Sequence, residues 1–206
     1  MIKTEMNSYY KTIIDTESTL SRKVGWRDEL AQKRRFQQLY KLVEDKDGFE
    51  IADLGCGLAG FYTFLRERKN NFIYTGYDLS EDMIKGAKEV VETNNQNAVL
   101  KRIEDTQDIT EHDFIVLSGI FNMKKNVSNN EWLNYILDQL NIIDKKSTKG
   151  FAFNLLTLYS DEEFKKNELY YASPSFFFDY CKNNFAKNVA LLHDYDEYDF
   201  TIIVRK

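Results

Sequence analysis

The stretch IADLGCGLAG, residues 51–60, decides the fold prediction for this chain. It begins as an apolar run, carries an acid at Asp53, and then places Gly55, Gly57 and Gly60 within six residues. A short apolar run that ends in glycine is typical of a buried parallel strand. Glycine after such a strand permits a positive φ and lets a ligand approach the backbone. We therefore expect a nucleotide or nucleoside cradle at this turn.

Strand-like and helix-like segments alternate over the rest of the chain. Strands are expected at 49–55, 72–78, about 98–103, 113–119 and 149–158, with helical patterns between them. Such alternation predicts a mostly parallel sheet with helices on both faces. The last two apolar runs, 188–195 and 198–206, are joined by a short polar turn and are therefore expected to be antiparallel. The predicted fold is α/β and Rossmann-like, with about seven strands and an antiparallel C-terminal strand.

The chain is expected to form one domain of 206 residues. Residues 1–46 look mostly helical and are predicted to form an N-terminal helical cap on an α/β core at 47–206. Three helix starts are marked by capping residues: Ser80, Ser128 with Glu131, and Ser173 followed by Pro174.

Composition excludes several classes of protein. The net charge of −5 and pI near 5.2 argue against a nucleic-acid binder, which needs a basic face. No window is apolar enough to span a bilayer, and the N-terminus lacks the apolar core of a signal peptide. Two cysteines make neither a disulfide framework nor a zinc pattern. We expect a cytoplasmic protein with no metal, and the sequence does not indicate its oligomeric state.

The ligand class is ambiguous from the glycines alone, because GCGLAG also fits the dinucleotide fingerprint G-x-G-x-x-G. Asp78 ends the second expected strand, where a carboxylate can accept hydrogen bonds from ribose hydroxyls in either ligand class. Asp53 favours a ligand with an ammonium group, because two phosphates would be repelled by it. The N-terminal helical segment and the antiparallel C-terminal pair also differ from the usual dinucleotide fold.

Over residues 50–206 the sequence resembles the class I S-adenosylmethionine (SAM)-dependent methyltransferases. ADLGCGLAG is similar to their first motif, GYDLSEDMI to the second, EDTQDI to the third and DFIVLSGIFNM to the fourth. The resemblance implies SAM as cofactor and S-adenosylhomocysteine (SAH) as product. It implies a cofactor site made by Asp53, Gly55, Cys56, Gly57, Asp78, Leu79, Asp105, Thr106, Ser118 and Gly119.

The resemblance also directs attention to residues around the methyl group. An N-terminal helix often reaches the cofactor in similar enzymes, so Trp26 is expected to stack on the ligand and Arg35 to bind the methionine carboxylate. Asn122, Asn154 and His193 follow or lie in strands that should end near the acceptor, and they are the candidate catalytic residues. His193 is the candidate general base, with capping of a strand end as its alternative role.

The acceptor is expected to be a small molecule. The N/D-P-P-Y/F motif of base-amine methyltransferases is replaced by SGIFN, and there is no Pro-Cys pair for cytosine chemistry. The C-terminal segments are similar to methyltransferases of bacterial surface-polysaccharide genes, which implies an oxygen acceptor on a sugar, phosphoryl or capsule-type metabolite. Two alternatives remain open from the sequence: an NAD-dependent oxidoreductase and a non-catalytic SAM-binding module.

Overall fold

The computed structural model describes residues 29–93 and 98–206, so Trp26 lies outside the described residues. Within them the helices are α1 (Glu29–Tyr40), α2 (Gly60–Arg66), α3 (Glu81–Thr93), α4 (Asn129–Lys146) and α5 (Pro174–Asn184). The strands are β1 (Phe49–Leu54), β2 (Phe72–Asp78), β3 (Ala98–Arg102), β4 (His112–Leu117), β5 (Ser147–Leu156), β6 (Asn188–Leu192) and β7 (Asp199–Arg205). No helix of the described ranges is long and apolar enough to cross a membrane.

These seven strands form one sheet in the order β3-β2-β1-β4-β5-β7-β6. The first five strands pair in parallel, and β7 runs antiparallel to both β5 and β6. The predicted fold class is therefore confirmed for the described residues. The strand order reverses between β1 and β4, and ligands of open α/β sheets bind beyond the carboxyl ends of the strands at such a point.

Each face of the sheet is covered by its own helices. Helices α1, α2 and α3 pack on what we name the α1 face, together with Ile51, Val116 and Ala152. Helices α4 and α5 pack on the opposite α4 face, together with Leu117 and Phe153. Because side chains alternate across a strand, neighbouring residues pack into the cores on opposite faces of the sheet. In β5, for example, Ala152 packs on the α1 face and Phe153 on the α4 face.

The predicted helix starts are confirmed. The Ser80 hydroxyl accepts a hydrogen bond from the Met83 N–H at 3.3 Å. Ser128 and Glu131 form the expected capping box. Ser173 caps α5, with Pro174 at its first position, where the missing N–H costs nothing.

Helix α1 packs into the core of the α1 face. The Phe36 ring lies 5.4 Å from the ring of Phe61 and 5.8 Å from that of Phe64, measured between centroids. At the other end of the helix, Arg205 donates a hydrogen bond to the Lys41 carbonyl at 2.7 Å. The described part of the N-terminal region is thus fixed against both α2 and β7.

Strand ends differ from the predictions where polar residues intervene. β4 ends at Leu117 and β5 at Leu156, each two residues earlier than expected. β6 ends at Leu192, so residues 193–198 form a loop of six residues rather than a tight turn. After β4 the chain changes direction at Gly119, which has a φ of +74°, a conformation that glycine adopts readily.

Candidate active site

The turn after β1 can be built only with glycine at position 55. Gly55 has a φ of +77°, and its N–H donates to the Tyr77 carbonyl at 2.8 Å. A Cβ atom there would lie 2.2 Å from the Cγ2 atom of Ile120, which comes from the loop after β4. The two loops at the switch point therefore touch each other, and no side chain at position 55 fits between them.

The end of β2 is tied to this turn by Asp78. One carboxylate oxygen of Asp78 accepts from the Gly57 N–H at 2.9 Å, and the other accepts from the Ser80 N–H at 2.9 Å. Burial raises the pKa of Asp78, while hydrogen bonds from the backbone of Ser80, Gly57 and Leu79 act in the opposite direction. A carboxylate has about four lone-pair sites and three backbone donors use three of them, so one site is left to accept from a ligand hydroxyl.

Asp53 is buried at the end of β1. The Tyr74 hydroxyl on neighbouring β2 donates to it at 2.7 Å. Burial raises the pKa of Asp53 to about 7, the bond from Tyr74 lowers it, and the nearby Asp78 carboxylate raises it. A cationic group beside Asp53 would therefore shift it to the charged form, which burial alone disfavours.

The backbone N–H of Cys56 helps to hold the turn after β1, and its thiol acts as a small buried side chain. Its N–H donates to the Tyr77 carbonyl at 3.0 Å. Its sulfur lies 2.9 Å from the point where a Cβ of Gly76 would be, so it fills the space above a glycine of β2. Burial raises the pKa of the Cys56 thiol, with the charges of Asp78 and Asp53 acting in the same direction. The thiol is not a nucleophile in this setting.

Asp105 and Thr106 lie in a single 3-10 turn just after β3. The Ile103 N–H donates to the Asp78 carbonyl at 3.0 Å, which holds the start of this segment beside the second motif. Asp105 caps the turn by accepting from the Gln107 N–H at 3.0 Å, and the buried Thr106 hydroxyl donates to Gln139 of α4. Asp105 thus has a structural partner in addition to its predicted role toward adenine.

The loop after β4 is held to β5 by two asparagine side chains. The Asn154 side-chain oxygen accepts from the Gly119 N–H at 2.7 Å, and the Asn122 side-chain oxygen accepts from the Leu156 N–H at 3.1 Å. The Asn154 amide nitrogen and the Ser118 hydroxyl are buried, and neither has a hydrogen-bond partner within the part of the chain that the structure describes. These two polar atoms are unexplained by the fold.

The role predicted for Arg35 needs correction. Arg35 is buried, and its guanidinium donates to Asp199 through Nε at 2.8 Å and through Nη2, which also contacts Glu197 at 3.3 Å. Two carboxylates of the β6–β7 region therefore bind the Nε and Nη2 atoms of this fork, which argues against the predicted contact with a methionine carboxylate. Asp199, the main acid that Arg35 meets, is fully buried at the start of β7.

The structure does not place His193 near Asn154, another candidate catalytic residue. It is exposed and follows β6, the edge strand, which lies three strands away from β4. At the spacing of neighbouring strands this is about 14 Å. Its ring packs 6.1 Å from Tyr159 and 6.3 Å from Phe200, which belongs to the core of the α4 face. Asn154 faces the other side, so the predicted base is separated from it by the sheet.

Sequence reasoning missed Tyr74 and Asp199. Tyr74 could have been found, because it lies on β2 two residues before the glycine that pairs with Asp53, and therefore on the same face. Asp199 gave a weaker signal, a carboxylate directly before the apolar run FTIIV. Its partner Arg35 is 164 residues away, and no local pattern connects them.

The geometry fits an adenosyl ligand with an amino-acid tail. Asp53 lies where it can accept from an ammonium group, and Asp78 where it can accept from a ribose hydroxyl. Between them lie Gly55 and Gly57, which carry no side chains of their own. A pyrophosphate would meet two buried carboxylates across this turn, which opposes the dinucleotide alternative.

Comparison with known proteins agrees with this fit. A Mycobacterium tuberculosis protein, Rv1506c, named as a candidate methyltransferase, is 40% identical over 168 residues, which are 81% of this chain and 98% of that protein. The chain therefore belongs to the same family of methyltransferases. No family model matches it.

Two solved structures illustrate the shared fold. Magnesium protoporphyrin IX methyltransferase from Synechocystis PCC 6803, with bound SAH, superposes with a TM-score of 0.71 at 13% identity, covering 99% of this chain and 100% of that one. N-methyltransferase NodS from Bradyrhizobium japonicum, also with SAH, gives a TM-score of 0.66 at 11% identity and 97% coverage of both chains. At such identity the likeness concerns the fold.

Proposed function

We propose that this enzyme transfers the methyl group of SAM to an oxygen of a small-molecule acceptor, of the sugar, phosphoryl or capsule-metabolite type. The observation that carries the proposal is the pair of buried acids on either side of the Gly55–Gly57 turn. The acceptor side is supported by the two asparagines that hold the ends of β4 and β5. A cytoplasmic location and a role in polysaccharide synthesis belong to the same proposal; Cys56 and Cys181 are both free, as in a reducing compartment.

The placement of the side chains supports the cofactor contacts that we propose. SAM supplies an activated methyl group on a sulfonium, and the protein positions it for in-line displacement. Asp53 accepts from the ammonium group and Asp78 from the ribose. Asp105 and the Thr106 backbone bind adenine, with Leu79 beside the ring. Ser118 and Gly119 lie at the end of β4, where the methyl group is expected.

The acceptor is bound next to Asn154 and Asn122. Both side chains have their oxygen fixed by a backbone N–H, so each amide nitrogen has a set direction in which to donate. A general base is needed only when the acceptor loses its proton in the reaction. His193 is too far from these groups for that task, so we do not assign the base to it.

The acceptor proposal excludes nucleic acid and large charged surfaces. The net charge of −5 opposes phosphate-backbone binding. Lys124, in the loop after β4, donates a hydrogen bond to the Val127 carbonyl at 3.3 Å. The family tolerates diverse acceptors, since the Synechocystis relative by its name acts on a magnesium porphyrin.

The proposal is tested by binding calorimetry and by label transfer. We expect SAM and SAH to bind the purified protein and NAD not to bind. Methyl-labelled SAM should then transfer label to a neutral glycoside or a sugar phosphate. Binding of SAH without transfer to any small molecule would favour the non-catalytic SAM-binding module. Binding of NAD, with no binding of SAM or SAH, would contradict both the methyltransferase and the non-catalytic SAM-binding module.

A further inference from the structure

Three polar atoms at the ends of β4, β5 and β7 are buried without hydrogen-bond partners among the described residues. They are the Ser118 hydroxyl oxygen, the Asn154 amide nitrogen and one carboxylate oxygen of Asp199. We name these three residues the polar cluster. Asn154 and Asp199 are 1% and 0% exposed, so both side chains have given up their contacts with bulk water. A buried polar group without a partner costs about 1–3 kcal/mol, and three together call for an explanation.

The members of the polar cluster are neighbours on the α1 face. Asn154 pairs directly with Thr201 across the β5–β7 ladder, and Asp199 lies two residues before Thr201. Residues two apart share a face, so Asn154 and Asp199 are diagonal neighbours within reach of one small group. Ser118 joins them because the next residue, Gly119, donates its N–H to the Asn154 side chain at 2.7 Å.

The orientation of each group is fixed by its other contacts. The Asn154 oxygen is held by Gly119, so the nitrogen, a donor only, is the atom left over. One oxygen of Asp199 is held by Arg35, so the other oxygen, an acceptor only, is left over. Ser118 can both donate and accept. The cluster therefore presents one donor, one acceptor and one hydroxyl that serves as either.

This combination selects the chemistry of the group that it binds. A carboxylate or phosphate only accepts, so it would meet the negative oxygen of Asp199 with nothing to donate. An ammonium only donates, so it would leave the Asn154 nitrogen without a partner. A hydroxyl both donates and accepts, and satisfies the two at once. We propose that Ser118, Asn154 and Asp199 bind a hydroxyl of the methyl acceptor, and that the acceptor is an uncharged glycoside.

The surroundings of the polar cluster support an uncharged acceptor. The β6–β7 loop is tied to Thr201, the ladder partner of Asn154, by a hydrogen bond of 3.0 Å between the hydroxyls of Tyr195 and Thr201. This loop carries the exposed acids Asp194 and Asp196, which repel an anionic acceptor. This inference rests on the proposed methyltransferase function and removes its phosphoryl option.

The test uses labelled methyl transfer by the full-length protein. The acceptors are methyl α-D-glucopyranoside and methyl α-D-galactopyranoside, with glucose 1-phosphate and glucosamine as charged counterparts. We expect label on at least one neutral glycoside and at least tenfold less on both charged sugars. With SAH binding intact, preference for a charged sugar, or no label on either glycoside, overturns the inference. Failure to bind SAH contradicts the proposed function instead.

Two variants each exchange a hydrogen-bond donor for an acceptor, or the reverse, and keep the size of the side chain. Asn154→Asp turns the donor into an acceptor, and Asp199→Asn turns the acceptor into a donor. Each should raise the KM for the accepted glycoside at least tenfold and leave the SAH dissociation constant within threefold. Because Asp199→Asn also weakens the contact to Arg35 and can impair folding, Ser118→Ala is measured beside it, with an expected threefold or larger rise in KM. Unchanged KM in folded Asn154→Asp and Ser118→Ala overturns the inference.

Discussion

Asp78 accepts a hydrogen bond from the backbone N–H of Gly57 at 2.9 Å, although 21 residues separate them. The contact joins the turn after β1 to the end of β2 and fixes the carboxylate beside the glycines. A charged acceptor held by backbone donors keeps its position without depending on mobile side chains. One side chain thus joins two parts of the cofactor site, the turn after β1 and the end of β2.

Replacement of Asp78 by Asn tests this contact. The amide keeps one acceptor oxygen, but its nitrogen faces either a backbone donor or the ribose, so at least one hydrogen bond is lost. We expect the SAH dissociation constant to rise about 10- to 100-fold, which corresponds to roughly 1.4–2.8 kcal/mol. Calorimetric titration with SAH measures this. The matched control is Asp82→Asn, an exposed acid four residues further on, which should leave the constant unchanged.

Asp53 should make SAM binding depend on pH. Its pKa is near 7 in the ligand-free protein, and the ammonium of SAM favours the carboxylate. Below pH 7 a proton must leave on binding, so affinity should fall by up to about tenfold per pH unit as the pH decreases. Titrations between pH 5.5 and 8.5 check this. Asp53→Asn should bind more weakly at pH 8 and lose this dependence; an equal slope in the variant would refute the assignment.

The same shift predicts the sign of a stability change. Burial raises the folded-state pKa of Asp53 from 3.8 to about 7, so the folded chain binds this proton more tightly than the unfolded chain. That contribution to the free energy of unfolding is fully present below pH 3.8 and is lost as the pH rises through 7. We expect Asp53→Asn without ligand to be more stable than the wild type at pH 8, by urea unfolding. A less stable variant would contradict the shift.

Gly55→Ala should damage both stability and binding. The positive φ is strained for alanine, and its Cβ would overlap the Ile120 side chain. We expect a loss of about 2–4 kcal/mol in the free energy of unfolding and weaker SAH binding. Gly48→Ala is the matched control, because Gly48 also has a positive φ but lies before β1, at the far end of the sheet. It should lose about 1–2 kcal/mol and bind SAH normally.

Arg35→Ala should be a stability variant and not a cofactor variant. Removal of one partner of a buried ion pair leaves Asp199 as an uncompensated charge, which costs about 3–5 kcal/mol. Arg34→Ala is the control: Arg34 is partly exposed and meets only the Glu197 carboxylate, so it should cost at most about 1 kcal/mol. At temperatures where the Arg35 variant is folded, its SAH affinity should match the wild type. A large loss of affinity would restore Arg35 as a cofactor ligand.

Local rules predicted much of this protein. The glycine spacing and the apolar runs predicted the α/β fold class with a mostly parallel sheet, and Ser80, Ser128 and Ser173 marked helix starts that the structure contains. These features depend on neighbours within a few residues. Asp78 was predictable for a similar reason, since it ends a strand whose carboxyl end must face the ligand.

Long-range pairing was not predictable in the same way. The guanidinium of Arg35 was assigned to the cofactor because α1 was expected nearby, yet a buried carboxylate on β7 binds it. His193 was placed at the correct end of the sheet, but its distance from β4 depends on the final strand order, β5-β7-β6. Asn154 was selected for its strand, whereas its free donor atom is known only from the contact with Gly119.

Thermal unfolding with SAH and with NAD tests the central claim most directly. A ligand at about one hundred times its dissociation constant adds roughly 2.7 kcal/mol to the free energy of unfolding. For a chain of this size the midpoint should rise by roughly 5–10 °C. We predict this rise with SAH, a much smaller one for Asp78→Asn at the same SAH concentration, and no change with NAD. A rise with NAD and none with SAH would contradict the assignment of the glycine turn to an adenosyl cofactor.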